Sequence, residues 1–335
     1  MQIIKHQNEN ISNLFTEFDS VYTHTSSQKK HYLLEPTFDE RFRPIFEMFE
    51  QYGHKFSIKY TNKAFTVPKL PRKQKNTIIV CFSGGKDSIA TTIRYKEMGY
   101  KIFLYHLQGI NYTYRDEYIN AQKAADFLDC PIYFDKVWLN GNHEYTEHPM
   151  KNMIIANGAL QYGIKEGIGT KIAFGNYITS SLNNDNFEIC GGDDNEMWEL
   201  YEEIIQEFIP NFKVHRILEN LNDTLTIFIQ TPELIPYAQS CIGPYRYKQY
   251  LRKNNQIKYG IELPENHCGS CWKCCLEYCV FCDKGILKYN KSYYRHCMEI
   301  LQKTLKQETG MKKSFEGVWN HYFFYGREES KFWEV

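Results

Sequence analysis

Two groups of residues have types and spacing suited to chemistry. The first is Ser83-Gly84-Gly85-Lys86-Asp87-Ser88, set between an apolar run and a segment with helical spacing. Gly84 and Gly85 let the backbone bend tightly and approach an anion, Lys86 adds a positive charge, and the Ser83 and Ser88 hydroxyls can donate to phosphate oxygens. Asp87 is an anion in an anion site, which makes sense if it holds Mg²⁺ or orients the loop by accepting backbone N–H bonds. The second group is His267-Cys-Gly-Ser-Cys-Trp-Lys-Cys-Cys275, in which Cys268, Cys271 and Cys274 recur at two-residue spacings. Three thiolates so spaced converge on one metal, and Zn²⁺ with a fourth thiolate closes a tetrahedral structural site. An iron–sulfur cluster is the rival, with Cys279 or Cys282 as fourth ligand, although Cys279 falls one residue late for the ferredoxin spacing and no proline follows it.

Positioning these groups requires a scaffold, and the chain around the loop alternates strand and helix. Thr77 to Phe82 is a continuous apolar run of the kind buried on both faces of a parallel sheet, and Ser88 to Met98 follows with Ile89, Ala90 and Ile93 at helical spacing. Strands are expected again at 101–107, 131–138 and 171–174, and helices at 115–128 and 197–208, the last carrying a strong apolar stripe from Met197 to Phe208. Repeated βα units predict an α/β fold with a doubly wound, mostly parallel sheet. In such a sheet the first βα turn presents free backbone N–H groups at a helix N-terminus, and Ser83 to Ser88 occupies that turn. Before it, a helix near 38–51, β-like runs at 55–60 and 64–67, and a polar linker at 69–75 mark an N-terminal extension. The expected organisation is therefore an extension over 1–75, an α/β nucleotide-binding domain over 76–240, and a Cys-rich, metal-binding and helical region over 241–335, with a helix at 293–307.

The loop is not a Walker A motif, because Val80 stands five residues before Gly85 and Asp87 follows Lys86; no third glycine completes a dinucleotide fingerprint either. Ser-Gly-Gly-x-Asp-Ser after a first strand instead resembles the PP-loop of the ATP pyrophosphatase superfamily, with the adenine nucleotide α-hydrolase-like fold. The resemblance implies cleavage of ATP between the α- and β-phosphates. Ser83, Gly84, Gly85, Lys86, Asp87 and Ser88 would then hold ATP, and Lys86, Asp87 and Ser88 would carry catalysis. Together with the late Cys-Gly-x-Cys-x-x-Cys, the loop resembles the 7-cyano-7-deazaguanine synthase family over roughly Asn76 to Asp283. Gln108 ends Tyr105-His-Leu-Gln108 where that family has a Gln, Glu117 opens the next helix, Gly175-Asn176 closes a later strand, and Ser240-Cys241 matches an upstream dipeptide. The resemblance implies that Gln108, Gly175 and Asn176 also contact nucleotide, that Cys241 joins Cys268, Cys271 and Cys274 around Zn²⁺, and that ATP and Mg²⁺ are cofactors. It further implies a ligase that adenylates the carboxylate of a 7-deazaguanine and accepts ammonia to make an amide and then a nitrile, as in queuosine biosynthesis. Departures are Leu107 in place of the family's glycine, Gly191-Gly-Asp-Asp-Asn195 in place of its Pro-Asp-Cys-Arg stretch, and the 27-residue gap between Cys241 and Cys268.

Bulk composition narrows the remaining classes. Among 335 residues, 40 basic and 40 acidic side chains cancel, so no uniform field draws the chain onto DNA or an anionic membrane. The polar start and the short apolar run at Ile78 to Phe82 argue for a soluble, cytoplasmic protein with no membrane partner. Asp193 and Asp194 fit either Mg²⁺ or a helix N-terminus. His106 could stack on adenine or fill a strand edge, with the second favoured; isolated Cys81, Cys130, Cys190 and Cys297 suit packing, as do the scattered tyrosines and phenylalanines. Three readings stay open: the synthase, a PP-loop tRNA sulfurtransferase, and a related subunit of a bacterial defence or modification system, acting on a macromolecule or not catalytic. A protein or nucleic-acid partner would engage residues 1–75, and a homodimer is compatible with the chain.

Overall fold

The computed structural model describes residues 5–6, 20–26, 29–35, 38–51, 55–57, 60–61, 76–108, 117–138, 151–176, 195–219, 221–238, 241 and 245–306. In the N-terminal part these form strands β1 (Lys5–His6), β2 (Ser20–Ser26), β3 (Lys29–Glu35) and β4 (Phe38–Asp39), helix α1 (Arg43–Gln51), and strands β5 (Lys55–Ser57) and β6 (Tyr60–Thr61). β2, β3 and β5 make one small sheet, and β4 with β6 another. The helix expected from residue 38 begins at Arg43, after a 3-10 turn over Glu40–Phe42. Pro44 accounts for this: it has no N–H to give and tolerates only the first turn of a helix. The run expected at 55–60 divides between β5 and β6, while those at 64–67 and 69–75 lie outside the described residues.

The main sheet is built from β7 (Thr77–Cys81), β8 (Lys101–Gln108), β9 (Ile132–Trp138), β10 (Ile172–Phe174) and β11 (Val214–Arg216). These five are parallel, with spatial order β9-β8-β7-β10-β11, and β1 lies antiparallel along β9, Lys5 opposite Trp138. β7 is buried at every position because it has strands on both edges and helices on both faces. Strand order runs outward from β7 in one direction and restarts at β10 in the other. The crevice beyond the carboxyl ends of β7 and β10 is therefore the topological switch point, where α/β sheets gather ligands.

Helices α2 (Lys86–Glu97), α3 (Glu117–Phe127), α4 (Lys151–Lys165), α5 (Asn195–Gln206), α6 (Leu221–Gln230), α7 (Tyr245–Tyr259), α8 (Trp272–Asp283) and α9 (Lys291–Lys306) complete the described elements. Alternating strand residues divide the core in two. Ile79, Cys81, Tyr105, Leu107 and Ile172 point to one side, packing with Met153 and Leu160 of α4, Trp198 and Tyr201 of α5, and Phe42 and Phe46 from the N-terminal part. Ile78, Val80, Ile102 and Leu104 point to the other, against Ile89 of α2, Ala121 of α3, Phe228 of α6 and the inner faces of α8 and α9. The protein is thus α/β, with helices on both faces of a parallel sheet. No helix among the described residues is long and apolar enough to cross a membrane.

Candidate functional site

The glycine loop begins where β7 ends. Phe82 still donates to the Tyr105 carbonyl at 2.7 Å, then the chain leaves the sheet and α2 starts at Lys86. Gly84 has φ of +74°, a left-handed conformation that a side chain strains, and a Cβ there would sit 2.8 Å from the Ala121 backbone of α3. Gly85 is the N-cap of α2 and offers no side-chain cap to the first turn, and a helix N-terminus is where backbone N–H groups can meet an anion. The Gly85 N–H donates to Ser83 Oγ at 3.2 Å, and Ser88 Oγ donates to the Gly85 carbonyl at 2.9 Å, which ties both serines to the turn.

Lys86 is buried and its ammonium donates to Asp87 Oδ2 at 3.1 Å. Burial by itself would lower the Lys86 pKa, but Asp87 and Glu277 outweigh it and leave the ammonium above its ordinary range. The second oxygen of Asp87 accepts from Thr224 Oγ1 of α6 at 3.0 Å. Across the crevice, Gly175 follows β10 directly, and a Cβ on it would lie 2.7 Å from the Asp87 carbonyl carbon and 2.8 Å from the Ser88 nitrogen. Ser83 through Ser88, Gly175 and Asn176 thus meet at the switch point; Gln108 ends β8, a strand adjacent to β7, and is half-buried. His106 does not face the crevice: it is buried, its Nδ1–H donates to the Phe82 carbonyl at 2.7 Å, and it packs edge-on against Phe134. Burial lowers its pKa to about 4 against the raising effect of that hydrogen bond, so the ring is neutral. Asp193 and Asp194 lie outside the described residues.

The cysteine knuckle lies beyond the loop, at the start of α8. Cys241, Cys268, Cys271 and Cys274 bring their sulfurs within 4.8 Å of one another. Cys271 Sγ is 3.4 Å from Cys274 Sγ and 4.0 Å from Cys241 Sγ. A tetrahedral ion with metal–sulfur bonds of about 2.3 Å sets sulfurs roughly 3.8 Å apart, so the four thiols fit a single Zn²⁺. Gly269 makes the knuckle turn at φ of +70°, and Cys268 Sγ accepts from the N–H groups of Ser270 and Cys271 at 3.4 and 3.3 Å. Asn255 of α7 donates to the Gly269 carbonyl at 3.0 Å, and Tyr293 of α9 donates to the same oxygen at 2.8 Å, clamping the turn from two helices. Cys241 takes the fourth position despite its distance in sequence. Cys279 is instead packed in the core and Cys282 lies against the Lys288 carbonyl at 3.8 Å.

Loop and knuckle are neighbours. Lys86, His267 and Glu277 border one small cavity of about 10 Å³, closed by Phe228 and Phe281. His267 Nε2 stands 3.2 Å from Glu277 Oε2, both side chains being buried. Sequence reasoning did not single out Thr224, Asn255, Lys273, Glu277 or Tyr293. Only Lys273 and Glu277 carried a signal, lying between and just after spaced cysteines four residues apart.

No family model and no curated protein matches the chain. Among solved structures, the crystal structure of a predicted subunit of tRNA methyltransferase from Methanocaldococcus jannaschii is similar over 45% of this chain and 74% of that chain, at 18% identity and a TM-score of 0.26. Fold and site together define an α/β protein with a glycine loop at its switch point and a four-cysteine group able to hold a metal ion.

Proposed function

We propose that this protein is an ATP-dependent adenylating enzyme of the PP-loop type, releasing AMP and pyrophosphate. The observation that carries the reading is the place of Ser83-Gly-Gly-Lys-Asp-Ser88: it follows the central strand of a parallel sheet and leads into the uncapped first turn of α2 at the switch point. A leaving pyrophosphate would be held by the first-turn N–H groups, the Ser83 and Ser88 hydroxyls and the Lys86 ammonium. Asp87 keeps a third of its side-chain exposure and would be the residue to hold a Mg²⁺, which would supply neutralisation of the phosphate charge. The acceptor oxygen attacks the α-phosphorus in line; the bond between that phosphorus and the bridging oxygen breaks, and the oxygen leaves with pyrophosphate. Positioning and charge neutralisation account for most of such a step.

The acceptor that the sequence resemblance favours is the carboxylate of a 7-deazaguanine. Ammonia then displaces AMP to give the amide, and a second adenylation of the amide oxygen, followed by loss of AMP and protons, gives the nitrile. Zn²⁺ would brace the wall beside the loop through Cys241, Cys268, Cys271 and Cys274. The test is incubation of purified protein with ATP, Mg²⁺, ammonium and 7-carboxy-7-deazaguanine, with nucleotides resolved by chromatography. AMP and pyrophosphate that depend on the carboxylate are expected, and ADP with phosphate would overturn the reading.

A further inference from the structure

Two side chains of α8 have no part in holding a metal. Lys273 stands between the ligand positions Cys271 and Cys274 in the first turn of the helix, and Glu277 follows four residues later. Residues at that spacing project from the same face. Glu277 fixes where this face points: it borders the same cavity as Lys86, with one oxygen paired to His267 and the other, Oε1, without a hydrogen-bond partner. The face carrying Lys273 therefore meets the first turn of α2.

Lys273 is half-buried and makes no ion pair among the described residues; its aromatic neighbour is the Trp272 ring, 5.6 Å from the ammonium. Asp87 is already engaged by Lys86 and Thr224, and Glu277 Oε2 lies 3.2 Å from His267 Nε2. Two ammonium groups held in one partly desolvated corner repel each other, and an anion bridging them turns the arrangement favourable. A polyphosphate bound at the N-terminus of α2 is such an anion.

We propose that Lys273 is a polyphosphate-binding residue, carried to the glycine loop by the cysteine knuckle and completing the site together with Lys86. This rests on the reading of Ser83–Ser88 as a pyrophosphate cradle. The knuckle, in this view, does more than brace the fold: the turn that gathers the thiolates also sets the position of a cation one residue before Cys274.

Calorimetric titration of the full-length, zinc-loaded protein tests this, using as probes pyrophosphate, an ATP analogue with a methylene between the α- and β-phosphates, and AMP, each with Mg²⁺. Lys273→Ala should weaken pyrophosphate and the analogue about tenfold, the loss of one charge-assisted contact. Binding of AMP, which lacks the β- and γ-phosphates, and the zinc content should be unchanged, and Lys273→Arg should recover most of the affinity. Unchanged pyrophosphate binding by a zinc-replete Lys273→Ala would overturn the proposal and leave the cradle reading intact. Equal weakening of AMP, or loss of zinc with the weakened binding, would assign Lys273 a structural role and also overturn it. Failure of the wild type to bind pyrophosphate and the analogue would overturn the cradle reading, and this proposal with it.

Discussion

Gly175 lets the end of β10 touch the first turn of α2, and a single methyl group there tests whether that contact shapes the loop. A Cβ on Gly175 would lie 2.7 Å from the Asp87 carbonyl carbon, 2.8 Å from the Ser88 nitrogen and 2.9 Å from the Asp87 oxygen, where ordinary contact begins at 3.4 Å. The opposing atoms are all backbone, so no rotamer change relieves the clash, and the two elements must part by roughly 0.6 Å at an overpacking cost of about 1–3 kcal/mol. Gly175→Ala should therefore lower the melting temperature by a few degrees. Because the displaced atoms belong to Asp87 and Ser88, pyrophosphate affinity should fall about tenfold or more. Gly99→Ala is the matched control: Gly99 has φ of +78° with nothing within 4 Å of a new Cβ, so it strains the backbone far from the loop. Differential scanning fluorimetry and pyrophosphate titration on the three proteins decide the matter. Wild-type affinity in Gly175→Ala, or an equal loss in Gly99→Ala, would refute the reasoning.

Other expectations follow from the same geometry. Cys241→Ser should reduce bound zinc from about one ion per chain to well below that and lower the melting temperature, whereas Cys282→Ser should leave zinc unchanged; metal analysis by mass spectrometry checks both. Thr224→Val removes the hydroxyl that donates to Asp87 and should slow AMP release about tenfold with the fold intact by circular dichroism. For His106, the folded pKa of about 4 lies below its ordinary value of 6.5, so between these pH values the unfolded chain binds more protons. Its contribution is fully present above about pH 6.5 and is lost as pH falls toward about 4, by at most about 3 kcal/mol. Denaturant midpoints at about pH 7.5 and about pH 4.5 should differ less in His106→Gln than in the wild type.

How far the molecule could be read from its sequence depended on whether burial left a period. β7 and β8 are apolar runs because both of their faces are covered, and α5 carries a stripe because one face meets the sheet. α4 and α6 are less plain: α4 holds Gly158 and Gly163 within an apolar stretch, and α6 (Leu-Asn-Asp-Thr-Leu-Thr-Ile-Phe-Ile-Gln) buries Leu221, Leu225 and Phe228 on one face but is rich in β-branched residues that also suit strands. α7 is almost wholly polar, and β11 is three residues long. At the site, glycine and cysteine spacing made the loop and the knuckle legible, since local backbone geometry demands those residues. Thr224, Asn255 and Tyr293 act through contacts between distant segments, and no local pattern records them.

The loop gains its full set of neighbours from segments far along the chain. Its shape depends on Ala121 of α3, on Gly175, on Thr224, which lies 137 residues beyond Asp87, and on Glu277 of α8. Contacts so distant in sequence close slowly. During synthesis, β7 and α2 leave the ribosome long before the residues that hold Asp87 and Lys86 in place. A nascent chain stopped before α6 would carry every residue of the loop motif and still lack the support that sets its geometry. The loop would then take its final geometry only after α8 has been made, reporting that α6 and α8 have folded onto the sheet.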